Sequence, residues 1–216
     1  MNMNFDAAIF DMDGTLLDTM PYWRYTALEY ILKHGYPMRF DLLQKMYYEP
    51  TAGLLERYSA EEGLVFNRGE VVKELWNFMD HHYVNHVRAK PFACELLEML
   101  RRNGFRMCLA TATPLEHALK GLERTGIRDY FEFVTDHYET GLTKSSPEFF
   151  INLASRLGVA PERCVVFEDT LYPMKSAKAA GMTVYAVEDA TQANDRKEIM
   201  ATADRYIRDF AELVKK

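Results

Sequence analysis

Ala7-Ala8-Ile9-Phe10 runs straight into Asp11-Met12-Asp13-Gly14-Thr15, and that junction decides the fold. The apolar run reads as a strand. Along an extended chain, residues two apart point to the same side, so Asp11 and Asp13 leave the strand end aimed into one space. Gly14 then permits a turn that a residue with a Cβ would resist. Two crowded carboxylates repel, and each tends to keep its proton unless a cation sits between them. The arrangement implies a metal, or two carboxylates with divided labour, or both. The plain alternative is an Asp-rich turn after a strand, because Asp and Gly are ordinary turn formers.

Further along, three more strand ends carry matching chemistry. Arg106-Met107-Cys108-Leu109-Ala110 ends in Thr111-Ala112-Thr113, where a hydroxyl and free backbone N–H groups suit phosphate oxygens at a helix start. Thr113 either adds a second hydroxyl there or caps the following helix. Lys144 precedes Ser145-Ser146-Pro147-Glu148, a helix start with proline in its first turn, and a lysine there can neutralise a phosphate as a point charge. Cys164-Val165-Val166-Phe167 delivers Glu168-Asp169. Singly, these are a strand-end threonine, a solvated lysine and an acidic turn. Together they supply what an aspartate nucleophile attacking phosphorus needs: a phosphate anchor, a second cation holder and a source of acid. Ligands of open α/β sheets bind outside the carboxyl ends of strands, where all four elements fall.

The 216 residues, 48% hydrophobic, are enough for a substantial core in one or two domains. A net charge of −6 without any long basic run argues against nucleic acid as a partner. No basic-then-apolar leader precedes Asp6, and no apolar stretch approaches a bilayer span. Cys94, Cys108 and Cys164 lack metal-ligand spacing and read as buried, reduced thiols. A soluble, cytoplasmic protein with no membrane partner is expected, acting as a monomer or weak homodimer.

From about Leu17 to Arg88 the strand rhythm gives way to helical periodicity. Pro21 suits a helix start, followed by Tyr22, Tyr25, Leu28, Ile31 and Leu32 near helical spacing. Shorter helices are expected over Phe40 to Tyr48 and Thr51 to Tyr58, and a longer one over Val71 to Val87. His81, His82 and His86 fall on that last helix, where a polar face is preferred to a metal site. Met12, Met20, Met38 and Met46 read as core fillers. Beyond Pro91, a helix over Phe92 to Arg102 ends at Asn103-Gly104. Phe131 to Val134, Thr183 to Val187 and Tyr206-Ile207 complete the strands. Alternating strands and helices imply βαβ units and a parallel sheet.

These motifs, in this order, resemble the haloacid-dehalogenase-like hydrolases, a superfamily made mostly of phosphatases. Ala179-Ala180-Gly181-Met182 extends the likeness to the family's helix end before a fifth strand. The resemblance implies an α/β class fold: a Rossmann-like parallel sheet core, with helices on both faces, over 1–16 and 89–216. It also implies a small all-α cap over 17–88, inserted after the first strand, which closes over the site and reads the substrate. Asp11 is then the nucleophile forming an aspartyl-phosphate, and Asp13 the general acid and base. Mg²⁺ is held by Asp11, the backbone carbonyl of Asp13 and Asp169, with Glu168 orienting a metal-bound water. Thr111, Ala112 and Lys144 hold the phosphate of a small phosphorylated metabolite.

Within the superfamily the chain looks closest to the branch of beta-phosphoglucomutase and small sugar-phosphate or phosphoglycolate phosphatases. The mutases place a histidine soon after Asp18-Thr19, whereas Met20-Pro21-Tyr22-Trp23-Arg24 has none. The mutase cap-loop arginine is also missing near Tyr47-Tyr48-Glu49-Pro50-Thr51, so a phosphatase is expected before a phosphomutase. Tyr22, Trp23, Tyr47, Tyr48 and Arg57 are the cap residues placed to touch substrate, although aromatic helix residues commonly serve packing. Ser145 stands where the family commonly has proline. Thr170-Leu171-Tyr172-Pro173 is bulkier than the usual turn after the acidic pair. A receiver-type signalling domain shares an acidic cluster, a hydroxyl and a lysine, but it lacks a helical insertion.

Overall fold

A computed structural model of the chain describes residues 5–45, 51–136, 139 and 141–215. It divides into two compact units, one reaching Asp18 and resuming at Arg88, the other spanning Thr19–Val87. The second unit is helical: α1 (Met20–Lys33), α2 (Phe40–Lys45), α3 (Thr51–Glu61) and α4 (Arg68–Asn85). Pro21 stands in the first turn of α1, where a missing N–H costs nothing. Leu28, Ile31, Leu54, Leu55, Tyr58, Val71 and Leu75 form this unit's own core.

Three expectations for the helical stretch need correction. α4 begins at Arg68 rather than Val71 because Asn67 caps it, its side chain accepting from the N–H groups of Gly69 and Glu70 at 3.0 and 3.4 Å. Tyr25 and Leu32 share the period of the core residues yet are 47% and 64% exposed, so the apolar stripe is narrower than the sequence suggests. Met38 is exposed instead of filling a core. Met46, Tyr47, Tyr48 and the expected end of the second helix lie outside the described residues.

In the other unit, β1 (Ala7–Phe10), β2 (Arg106–Ala110), β3 (Phe133–Thr135), β4 (Cys164–Glu168), β5 (Thr183–Val187) and β6 (Arg205–Ile207) make one six-stranded sheet. Its order is β3-β2-β1-β4-β5-β6 and every pair is parallel. The other helices given by the described residues are α5 (Ala93–Arg102), α6 (Leu115–Thr125), α7 (Pro147–Arg156), α8 (Leu171–Ala179), α9 (Arg196–Thr202) and α10 (Ala211–Val214). Strand side chains alternate between faces. Ala7, Ile9, Cys108, Val166 and Val184 pack with Phe149, Phe150, Leu153, Met174 and Ala177 of α7 and α8. Phe10 stacks on Phe167 with ring centroids 4.6 Å apart, and Phe131 and Phe210 meet that pair edge-on. β3 starts two residues later than expected, since Arg128–Tyr130 form a 3-10 turn that carries Phe131 and Glu132 to the strand. Cys108 and Cys164 are buried, Cys94 is half-buried, and all three are free thiols. No described helix is long and apolar enough to cross a membrane.

Phe92, directly before α5, has φ 62° and is the one described non-glycine residue with positive φ. A Cβ in that region costs roughly 1–2 kcal/mol. Its half-buried ring is covered on one side by the Lys215 ammonium, 3.9 Å from the centroid. Phe92→Gly should therefore leave the urea midpoint unchanged or raise stability by up to about 1 kcal/mol. Phe10→Ala, in the fully buried aromatic stack, should cost about 3–5 kcal/mol. Equal losses in the two variants would show that the Phe92 ring, not its backbone, dominates.

Candidate active site

Register brings the chemistry together. Phe10 pairs with Leu109 on one side and with Phe167 on the other, so β1, β2 and β4 end level with one another. The Asp11 N–H continues the ladder to the Phe167 carbonyl at 3.0 Å, and the Thr111 N–H does the same to Thr135. The chain leaves β1 toward β2 and later returns to β1's other side as β4. This is the reversal point at which open α/β sheets form a crevice. Asp11, Thr111 and the pair Glu168-Asp169 stand at its rim.

Asp11, Glu168 and Asp169 converge, each offering a carboxylate oxygen within 4.8 Å of the others. They are 7%, 1% and 2% exposed. Lys144, 5% exposed, is the cation among them: its Nζ lies 2.7 Å from Asp11 Oδ1 and 2.5 Å from Glu168 Oε2. A turn closed by the Ser146 N–H on the Thr143 carbonyl presents it, so Ser145 in place of proline is accommodated. The Thr15 hydroxyl donates to Asp169 Oδ1 at 3.1 Å, and the Thr170 N–H donates to Glu168 Oε1 at 3.2 Å. Asp11 Oδ2 is buried and accepts no hydrogen bond among the described residues.

Three carboxylates thus converge, and two of them share one ammonium. Two unit charges about 5 Å apart repel by roughly 3 kcal/mol at an effective dielectric near 20. Burial first, then the charge of Asp11, pushes the Glu168 carboxyl up to about 7 against the pull of Lys144. Burial, Asp11, Glu168 and Asp189 raise Asp169 well above the usual carboxylate range. For Lys144 burial acts the other way, yet Asp11 and Glu168 outweigh it and its ammonium holds its proton beyond the ordinary lysine value. An all-oxygen donor set, excess negative charge and an orphaned buried carboxylate oxygen fit a hard divalent cation.

Asp13 stands apart from that cluster. The chain folds back after Met12, whose carbonyl accepts from the N–H groups of Leu16 and Leu17, while Gly14 takes φ 83°. Asp13 Oδ2 accepts from the Thr113 hydroxyl at 2.7 Å. Thr111 Oγ1 accepts from the Thr113 N–H at 3.0 Å, and Ala112 between them is exposed. Thr113 does not cap α6. That helix takes its partner from Asp136, whose Oδ2 accepts from the Leu115 N–H at 2.8 Å. Asp136 directly follows β3, so the strand-end signal that marked the other acids would also have found it. Pro173 falls in the first turn of α8, where no intrahelical donor is missed, so the bulkier turn is accommodated and β4 still runs to Glu168.

Trp23 meets Trp76 edge-on at 5.0 Å, and Tyr22 stacks on His82 at 4.6 Å, so both serve packing within the helical unit. Arg57 is exposed on α3.

Comparison with known proteins agrees with this geometry. Residues 5–181 match the family model described as haloacid dehalogenase-like hydrolase. A phosphorylated carbohydrates phosphatase of Thermotoga maritima is 31% identical over 205 residues, covering 90% of each chain. Hexitol phosphatase B of Escherichia coli K12 is 27% identical, covering 90% of this chain and 89% of its own. A solved Thermotoga maritima structure, provisionally named a beta-phosphoglucomutase, superposes with a TM-score of 0.81 at 27% identity, covering 94% of both chains. The strand-end motifs, the parallel sheet and these matches agree: the chain belongs to the haloacid dehalogenase-like hydrolases.

Proposed function

We propose that this protein is a Mg²⁺-dependent phosphatase of small phosphorylated carbohydrates, working through an aspartyl-phosphate at Asp11. The observation that carries this reading is the Asp11 carboxylate, with one oxygen held by Lys144 and the other buried without a hydrogen bond. A carboxylate oxygen of Asp11 bonds to phosphorus as the P–O bond to the sugar breaks. Asp13 protonates the departing alkoxide, then takes a proton from the water that cleaves the aspartyl-phosphate and frees inorganic phosphate. Such acid–base work is worth roughly 10²–10⁴ in rate. Lys144, the Thr111 hydroxyl and the Ala112 N–H bind the phosphoryl oxygens. Asp11, the Asp13 carbonyl and Asp169 would hold Mg²⁺, with Glu168 supporting them, and the ion would neutralise phosphate charge. The helical unit is the cap that reads the sugar.

A phosphomutase is the second reading, favoured by the structural likeness to the Thermotoga protein named a beta-phosphoglucomutase. Against it stands Met20 to Arg24, which has no histidine to serve a sugar acceptor. A panel of hexose and hexitol phosphates assayed with Mg²⁺ decides between them. Inorganic phosphate should appear one-for-one with dephosphorylated product, without a bisphosphate primer, and Asp11→Asn should lose roughly a thousandfold or more. Faster isomerisation of a hexose 1-phosphate to its 6-phosphate would overturn the hydrolase reading. Asp11→Asn activity within about tenfold of the parent would overturn the nucleophile.

The pKa shifts give a second test. Folded Glu168 keeps its proton up to about 7, whereas an ordinary glutamate releases it near 4.5. Through that window the native state binds more protons than the unfolded chain, so the stability of the metal-free protein falls as pH rises. Mg²⁺ needs the ionised carboxylates, so its stabilisation grows over the same range. In chelator, Tm should drop between about pH 5 and pH 7.5. Added Mg²⁺ should raise Tm by several degrees at the higher pH and little at the lower. No Mg²⁺ effect on Tm at either pH would remove the metal from the proposal.

Thr113 offers a third. Thr113→Val removes the hydroxyl on Asp13 while keeping the shape. A hydrogen bond to a charged group contributes roughly 1.5–3 kcal/mol, so kcat should fall about 10- to 100-fold with KM little changed. Thr113→Ser should restore most of it. An unchanged kcat in the valine variant would mean that Asp13 is positioned by other contacts.

A further inference from the structure

Histidines at the end of α4 form a second constellation, within the helical unit alone and independent of the phosphatase reading. His82 and His86 lie one helical turn apart, and their Nδ1 atoms approach to 3.2 Å. On its other side the His82 ring is tied to α1, with Nε2 2.9 Å from Glu29 Oε1. Tyr22 stacks on the same ring at 4.6 Å, and its hydroxyl donates to the His86 carbonyl at 3.4 Å. The His81 ring lies 5.2 Å from that of His86, and His81 Nδ1 is 3.2 Å from Asn85 Nδ2.

The proton positions follow from what each partner can do. A carboxylate only accepts, so His82 Nε2 carries a hydrogen toward Glu29, which leaves Nδ1 as the nitrogen that can present a lone pair. The close contact between the Nδ1 atoms is then a hydrogen held between two nitrogens, donated by His86. A metal ion can replace that hydrogen if His86 shifts its proton to Nε2, leaving two converging lone pairs. Zn–N bonds of about 2.0–2.1 Å at a tetrahedral angle place two nitrogens about 3.3–3.4 Å apart. The observed 3.2 Å already matches that separation, so a rotation of the two imidazole rings, without movement of the helix, would aim both nitrogens at one ion. Metal-bound histidines usually give their second N–H to a carboxylate, which fixes ring and tautomer, and Glu29 occupies that place. Glu29 Oε2 is buried and accepts no hydrogen bond among the described residues, so its negative charge is only partly answered and favours a cation beyond the ring.

We propose that His82 and His86, oriented by Glu29, form a binding site for a borderline transition-metal ion such as Zn²⁺, with water completing the shell. Its nitrogen donors differ in kind from the carboxylates at the strand ends, so the two sites take different metals. Binding would fasten the last turn of α4 to α1 through the His82–Glu29 contact, and any ion that binds only the folded state stabilises it.

The test is calorimetric titration of Zn²⁺ into the full-length protein in excess Mg²⁺, with Tm read on the same samples. One equivalent should bind and raise Tm. His86→Gln, at an exposed helix end where folding is not at risk, should abolish both effects. Glu29→Gln should weaken Zn²⁺ about 10- to 100-fold while leaving a measurable event. Zn²⁺ binding that persists unchanged in His86→Gln overturns the proposal. So does binding that is lost in Asp169→Asn but kept in His86→Gln, because Zn²⁺ would then occupy only the carboxylates.

Discussion

Three buried carboxylates against one buried ammonium is the constraint on which the rest of this structure depends. Removing a carboxylate from water is unfavourable, and placing three together adds their mutual repulsion. The sheet holds them there regardless, because Asp11 and Asp169 directly follow, and Glu168 ends, strands whose side chains are almost wholly buried. Strand register, fixed by the pairing of Phe10 with Leu109 and Phe167, leaves the acids no freedom to separate. The hydrophobic face and the stacked aromatics therefore stabilise the fold while holding a locally unfavourable charge. That trade is common where chemistry is done.

Lys144 suits this position for reasons specific to its side chain. A guanidinium would prefer one carboxylate in a two-pronged geometry, whereas an ammonium is a point charge able to reach Asp11 and Glu168 together. With both partners at hydrogen-bonding distance the ammonium stays charged despite burial. Lys144 and Glu168 are both raised, for different reasons: the acids hold the proton on the ammonium, while burial and Asp11 hold one on Glu168 against the pull of Lys144. Asp169 is tied instead to the neutral hydroxyl of Thr15, and burial and the neighbouring acids raise it despite the pull of Lys90.

Much of this was legible in the sequence, and the reasons differ by element. Strand ends were readable because a buried strand leaves an unbroken apolar run, and charge returns at once where the chain emerges, as at Phe10-Asp11 and Phe167-Glu168. Helix starts were less so. The beginning of α4 is set by the Asn67 cap and not by its first apolar residue. The late start of β3 reflects a 3-10 turn, because the buried Phe131 that follows it carries the same apolar signature as the strand. Partners distant in sequence were not legible at all. Thr113 reaching Asp13, and Asp136 closing α6, are consequences of which strands lie side by side. Phe92 in a left-handed conformation is visible only in the backbone.

The histidines of α4 show the same limit from the other direction. As a sequence, His81-His82 and His86 are a polar helix face, since i and i+4 spacing alone places side chains near each other without saying what they do. What changes their meaning is Glu29, fifty-three positions from His82 along the chain and hydrogen-bonded to it in the fold. A carboxylate on one ring nitrogen decides which tautomer the other presents, and that converts two adjacent rings into a pair of lone pairs with a defined separation. The strand-end acids and the α4 histidines are thus built on one principle. In both, a group brought in from a distant part of the chain governs where hydrogens sit on its neighbours: Lys144 between the acids, Glu29 beside the imidazole.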